Sequence, residues 1–181
     1  MNIYETWTKD DQRVVILYDE DAENPREWYS DRSTLVTKHR RYKLGDREPL
    51  SDTEYGERCN DEKLVVLPVY MYEHSSIALS TGPFSCPWDS GQLGFIYAKI
   101  EEGQKHEDVA KQLEQEVKIY GAFLGGEVFC FNRERKKTCP TCEHTTWEHI
   151  DSCGGYIDYP EKSNIYEDAF PEGKEGWELS T

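Results

Sequence analysis

Apolar residues fall into a few short runs separated by long polar stretches, and the spacing inside each run predicts its structure. QRVVILY (12–18) holds four consecutive apolar residues between polar ends, which predicts a buried strand closed by the acidic turn DEDAENP (19–25). STLVTKHRRY (33–42) predicts a second strand, and Pro49 with the polar run SDTEYGERCNDE marks a loop after it. KLVVLPVYMYEH (63–74) is rich in Val and Tyr and reads as a strand, although Pro68 lacks an N–H and so predicts an edge position or a bulge. SSIALST (75–81) pairs with it as a hairpin, and LGFIYAKI (93–100) follows as another buried strand.

The period changes after residue 105. Val109, Leu113, Val117, Tyr120 and Leu124 recur every three or four residues, which predicts an amphipathic helix over 106–124. Glu107 and Asp108 suit its first turn, where the backbone dipole favours acids, and Gly125 and Gly126 supply the stop. GEVFCFNRER (126–135) returns to a strand pattern. Strands on both sides of one main helix give an α+β fold class, a mostly antiparallel sheet with the helix packed on it.

Composition changes this picture in two ways. Of 181 residues only 36% are hydrophobic, but five Trp, twelve Tyr and six Phe supply large buried areas, so a folded domain is expected. The formal charge of −15 is uneven: the last thirty-nine residues carry two Lys against ten acids, whereas 128–142 is net basic. Such a field repels DNA and attracts basic surfaces, which argues against direct nucleic-acid binding; solubility alone is the plain alternative. No apolar run reaches the length of a membrane-spanning helix, and MNIYETWTKDDQR lacks the order of a signal peptide. A cytosolic protein is the simplest expectation.

In a reducing compartment clustered cysteines point to metal and scattered ones to packing. Cys59, Cys86 and Cys130 are scattered, whereas Cys139, Cys142 and Cys153 lie within CPTCEHTTWEHIDSC (139–153). The two-residue gap of Cys139-Pro-Thr-Cys142 lets one tight turn present both sulfurs to a zinc ion at about 2.3 Å. Cys153 supplies a third thiolate if the chain folds back, and His149 stands four residues before it, on the same side of a helical turn. Cys139, Cys142, His149 and Cys153 are the expected ligands of one structural Zn2+, with His144 the alternative fourth. A redox pair or a mere turn are the competing readings of CPTC. The expected organisation is a single compact unit: an α+β core over 1–138, a zinc knuckle over 139–157 that staples the C-terminal segment, and an acidic tail over 158–181.

His74, Cys86 and Asp89 could form a nucleophile, base and orienting acid, but packing of Cys86 as a small hydrophobe competes with that reading. Lys38, His39, Arg40, Arg41, Lys43 and Arg47 form a basic stripe that could meet phosphate or the chain's own acids.

NPREW (24–28), HRRYKLGD (39–46), STGPFSCPWDSGQLGFIY (80–97) and DSCGGY (151–156) resemble a group of small acidic proteins encoded by phages and prophages of Gram-positive bacteria. The likeness runs from about residue 12 to residue 156. Within such phage proteins, an acidic zinc-containing chain is similar to anti-CRISPR inhibitors of a Cas9 nuclease. The resemblance implies a non-enzymatic protein of the bacterial host cytoplasm that binds a basic, nucleic-acid-handling host protein and blocks nucleic-acid loading. Trp147, Tyr156, Tyr159, Tyr166, Phe170 and Trp177 are candidate anchors for that partner. A small enzyme using Cys86 and His74, and a zinc-stabilised phage accessory protein with no inhibitory role, are the rival expectations.

Overall fold

A computed structural model describes residues 2–180. The elements in order are β1 (Ile3–Lys9), β2 (Gln12–Tyr18), α1 (Pro25–Trp28), β3 (Ser33–Thr37), α2 (Glu54–Cys59), β4 (Leu64–His74), β5 (Ser76–Ser80), β6 (Ser90–Lys99), α3 (His106–Leu124), β7 (Val128–Thr138), β8 (Thr145–Ile157), α4 (Ile165–Ala169) and β9 (Glu178–Ser180). The class is α+β, and every strand pairing within the two sheets is antiparallel. The chain forms two compact units rather than the single one expected: residues 24–125 are inserted between the two segments of the other, 1–23 and 126–181.

The inserted unit carries a four-stranded sheet in the order β3-β6-β4-β5 with α3 against it. The apolar stripe read from the sequence is the buried one: Val109, Leu113, Val117 and Tyr120 pack with Leu35, Val65, Val69, Leu79 and Ile96. Leu124, the last residue of that stripe, is only partly buried. Pro68 sits opposite Phe95 of β6, and β5 reaches along β4 only to Tyr70. Pro68 is therefore at a local edge, and the register shifts between Val69 and Tyr70, so both of the expected accommodations occur side by side. At Gly94 of β6 a Cβ would collide with the Val36 carbonyl oxygen, which makes glycine a requirement of the β3–β6 pairing.

The other unit is a five-stranded sheet in the order β8-β7-β2-β1-β9. Alternate residues Val14 and Ile16 of β2 and Phe129 and Phe131 of β7 turn to one face, the period-two pattern of a strand. Ile165, Ala169 and Phe170 close over that face, joined at its margin by Tyr4, Trp7, Tyr18, Tyr156, Tyr166 and Trp177. The segment expected as an acidic tail is thus packed on the fold through Ile165, Ala169 and Phe170. Its apolar residues are too widely spaced to show a period, yet the short α4 brings three of them into the core. Lys174 Nζ lies 3.7 Å from the Trp7 ring centre and 3.5 Å from that of Tyr166, pinning the segment further.

Candidate functional site

β7 and β8 form a long hairpin whose last pair is Thr138 with Thr145, leaving 139–144 as the turn. Cys139 N donates to the His144 carbonyl at 2.8 Å, and Glu143 N donates to the Cys139 carbonyl at 2.9 Å. Glu143 takes φ 57°, the left-handed conformation that allows so tight a reversal. Inside the turn the Cys139 sulfur accepts the backbone N–H groups of Thr141 and then Cys142, and also meets the Cys142 thiol. Those donors favour the thiolate and hold the Cys139 pKa below the usual thiol value. CPTC therefore lies in a formed tight turn that carries both Cys139 and Cys142. Its tip is exposed at every residue from 140 to 144.

The structure does not bring all four expected zinc ligands together. β8 continues straight out of the turn, so His149 stands opposite Glu134 and Cys153 opposite Phe131. At about 3.3 Å per strand residue, these positions lie about 13 Å and 23 Å along the hairpin from its last pair. Cys153 meets the Tyr156 hydroxyl, which itself donates to Asp168 Oδ2 at 2.7 Å. Among the described residues no group of three or more His, Cys, Asp or Glu is placed to hold a metal ion. Cys139, Cys142 and His144 share the turn; His149 and Cys153 belong to the ladder. The cause is the ladder itself, which converts a close spacing in sequence into distance along a strand. Gly154 and Gly155 form an irregularity opposite Cys130, fixed by Gly155 N donating to Asp19 Oδ2 at 2.8 Å.

The loop before β6 places Cys86 against Asp89, with the thiol donating to Oδ2 at 3.6 Å. His74 stacks on Tyr72 at 6.4 Å between ring centres, and no hydrogen bond joins it to Cys86 among the described residues. The thiol is bonded to the carboxylate and not to the imidazole, so the trio lacks the thiol-to-imidazole link of a cysteine–histidine pair. The same loop instead leaves Trp88 91% exposed at the rim of a cleft of about 280 Å3 lined by His39, Arg41, Glu73, Asp89 and Gln92. Arg41 pairs with Glu73 at 2.5 Å, and Tyr42 OH donates to the same carboxylate at 2.8 Å, which raises the Tyr42 pKa. No motif in the sequence marks this cleft. Its one signal is a Trp set between Pro87 and Asp89 in a loop with little else apolar beside it.

The basic stripe is largely neutralised within the chain: Lys38 pairs with Asp52, Arg41 with Glu73 and Arg47 with Glu54. Lys137 likewise pairs with Glu148 and Arg135 with Asp11 on the hairpin. Of the expected anchors, Phe170 is buried, Trp177 packs on it at 5.1 Å, Tyr166 OH donates to Glu5, and Trp147 lies under Arg13. Tyr159 alone of the six counts as exposed. With these rings turned inward, Glu161, Glu167, Asp168, Glu172, Glu175 and Glu178 are exposed around α4 and β9. Comparison with protein-family models, curated proteins and solved structures finds no match to this chain.

Proposed function

We propose that this chain acts by binding, presenting a fixed acidic surface to a basic, nucleic-acid-handling protein of a bacterial host. The observation that carries this reading is the fold of 158–178. Ile165, Ala169 and Phe170 anchor the segment while six carboxylates stand in solvent, so the charge is held on a packed scaffold. Ordered charge loses little entropy on association, and complementary fields speed encounter with a positive groove. Given the resemblance to phage proteins, the proposed target is a Cas9-type nuclease, whose positively charged channel holds its guide–target duplex. Occupying that channel would block nucleic-acid loading without chemistry by the inhibitor, in the cytoplasm of the host. No helix is long and apolar enough to cross a membrane among the described residues.

The test is retention of purified Cas9 on the immobilised chain, with and without guide RNA, at rising salt. Binding that weakens with salt, and is lost on reversing Glu161, Glu167, Glu172 and Glu175 to Lys, supports the reading. Binding of equal strength by the reversed variant removes this surface from the proposal, and no retention at low salt removes the target.

A further inference from the structure

The hairpin tip carries an inference independent of the acidic surface. Zinc in a structural site is four-coordinate and tetrahedral, and a CxxC knuckle supplies two corners. Here the knuckle is preformed: the turn is closed by two backbone hydrogen bonds, from Cys139 N to the His144 carbonyl and from Glu143 N to the Cys139 carbonyl. Yet the rest of the chain does not complete it. His149 and Cys153 are carried down the ladder, opposite Glu134 and Phe131, and among the described residues no third or fourth ligand is gathered at the tip. Nor does this chain cover the tip, since 135–138 on one strand and 140–146 around the turn are all exposed.

We infer that two copies of this chain share one zinc ion through their hairpin tips, each contributing Cys139 and Cys142. A half-site of two ligands closes by a two-fold axis through the metal, the self-complementary arrangement that ends assembly at a dimer. Four thiols give up four protons to solvent as the ion binds, leaving a complex of net charge −2. The flanking residues suit that charge. Arg135, Lys136 and Lys137 precede each knuckle; Arg135 and Lys137 also pair with Asp11 and Glu148, so the positive charge beside the metal is local and modest, and two copies can meet there around a negative centre. His144 lies in the same turn, which makes a site built within a single copy the specific competitor.

The experiment uses the full chain, reduced and freed of metal, with Zn2+ added stepwise while mass is followed by light scattering and bound zinc by elemental analysis. The expected result is one zinc per two chains and a doubling of the 21.1 kDa mass, both reversed by a chelator. Co2+ in place of zinc should give the visible and near-ultraviolet bands of a tetrahedral all-sulfur site. C139S and C142S should each abolish uptake and dimerisation, whereas H149A, C153S and H144A should leave both unchanged. Circular dichroism of each variant checks that the sheet persists. One zinc per monomer, uptake that needs His144 or Cys153, or no uptake by the reduced chain would each overturn the shared site. A Cys139–Cys142 disulfide that forms readily and is not protected by zinc would also overturn it, assigning the knuckle to redox chemistry.

Discussion

Arg26 Nη1 donates to Glu116 Oε2 at 3.0 Å, with the two side chains only 5% and 8% exposed. The same guanidinium holds Asp46 through two further bonds, of 3.2 and 2.8 Å, and Asp46 in turn accepts the Leu35 amide at 2.6 Å. One buried cation thus ties the start of the inserted unit to α3 and to the loop after β3. Removing one partner leaves a charge in a poorly solvated place, a loss that typically costs about 3–5 kcal/mol. Glu116→Ala is expected to destabilise the inserted unit on that scale in urea unfolding. A change below about 1 kcal/mol, the surface-pair scale, would show that the network is not a stability element.

Glu54 gives a pH-dependent prediction. Its carboxylate is bonded first to Arg47 and also accepts the Leu50 amide at 2.7 Å, and its pKa is lowered from 4.5 to about 2. A folded-state pKa below the unfolded value favours the folded state fully above about 4.5, and the contribution is lost as pH falls toward about 2. Melting temperature should therefore drop through that window, and Glu54→Gln should flatten the drop while lowering stability at neutral pH. Parallel melting curves of the two proteins at pH 6, 4, 3 and 2 decide it.

The ring contacts of Lys174 predict a local effect. Its ammonium faces Trp7 and Tyr166 at under 4 Å and Phe170 at 5.6 Å. Lys174→Met keeps the length and removes the charge, and is expected to cost about 1 kcal/mol. Faster amide exchange confined to 165–180 is the signature, and an unchanged exchange pattern would assign the hold to Ile165 and Phe170 alone.

Gly94 predicts a backbone failure. A methyl group there collides with the Val36 carbonyl, which is main chain and cannot rotate away. Gly94→Ala is expected to part β3 from β6 and to destabilise by about 4 kcal/mol or more, at the far end of single-substitution effects. A methyl group on Gly91 of the same strand would meet nothing within 4 Å, so Gly91→Ala is the matched control.

What the sequence makes legible depends on whether a pattern is local. The strand at 12–18 and the helix at 106–124 appear with those bounds, because four adjacent apolar residues and a three-to-four spacing each describe a face directly. β1 precedes what reads as the first strand; its IYETWTK alternates only weakly, and its two faces are mostly half-buried. β8 is hidden for a different reason. Its histidine and cysteine spacing suggests a folded-back metal site, whereas Thr145, Thr146, Trp147 and Ile150 carry the strand propensity that β7 then pairs with. The partners of Arg26 lie 20 and 90 residues away, and nothing in NPREW announces them. Trp88 is legible as an odd residue in its loop, but not the cleft beside it.

The insertion of 24–125 has a consequence for how the protein is made. β2 pairs with β7 from Tyr18 opposite Phe129 to Gln12 opposite Arg135, so two neighbouring strands of one sheet are synthesised about a hundred residues apart. During translation the β1–β2 hairpin emerges with Val14 and Ile16 uncovered and must wait for Phe129 and Phe131. The inserted unit has all its residues as soon as α3 clears the ribosome, and its folding removes about a hundred residues of flexible chain from the loop between β2 and β7. The order of birth of the strands therefore leaves the β1–β2 hairpin without its β7 neighbour until residues 129–135 have been made.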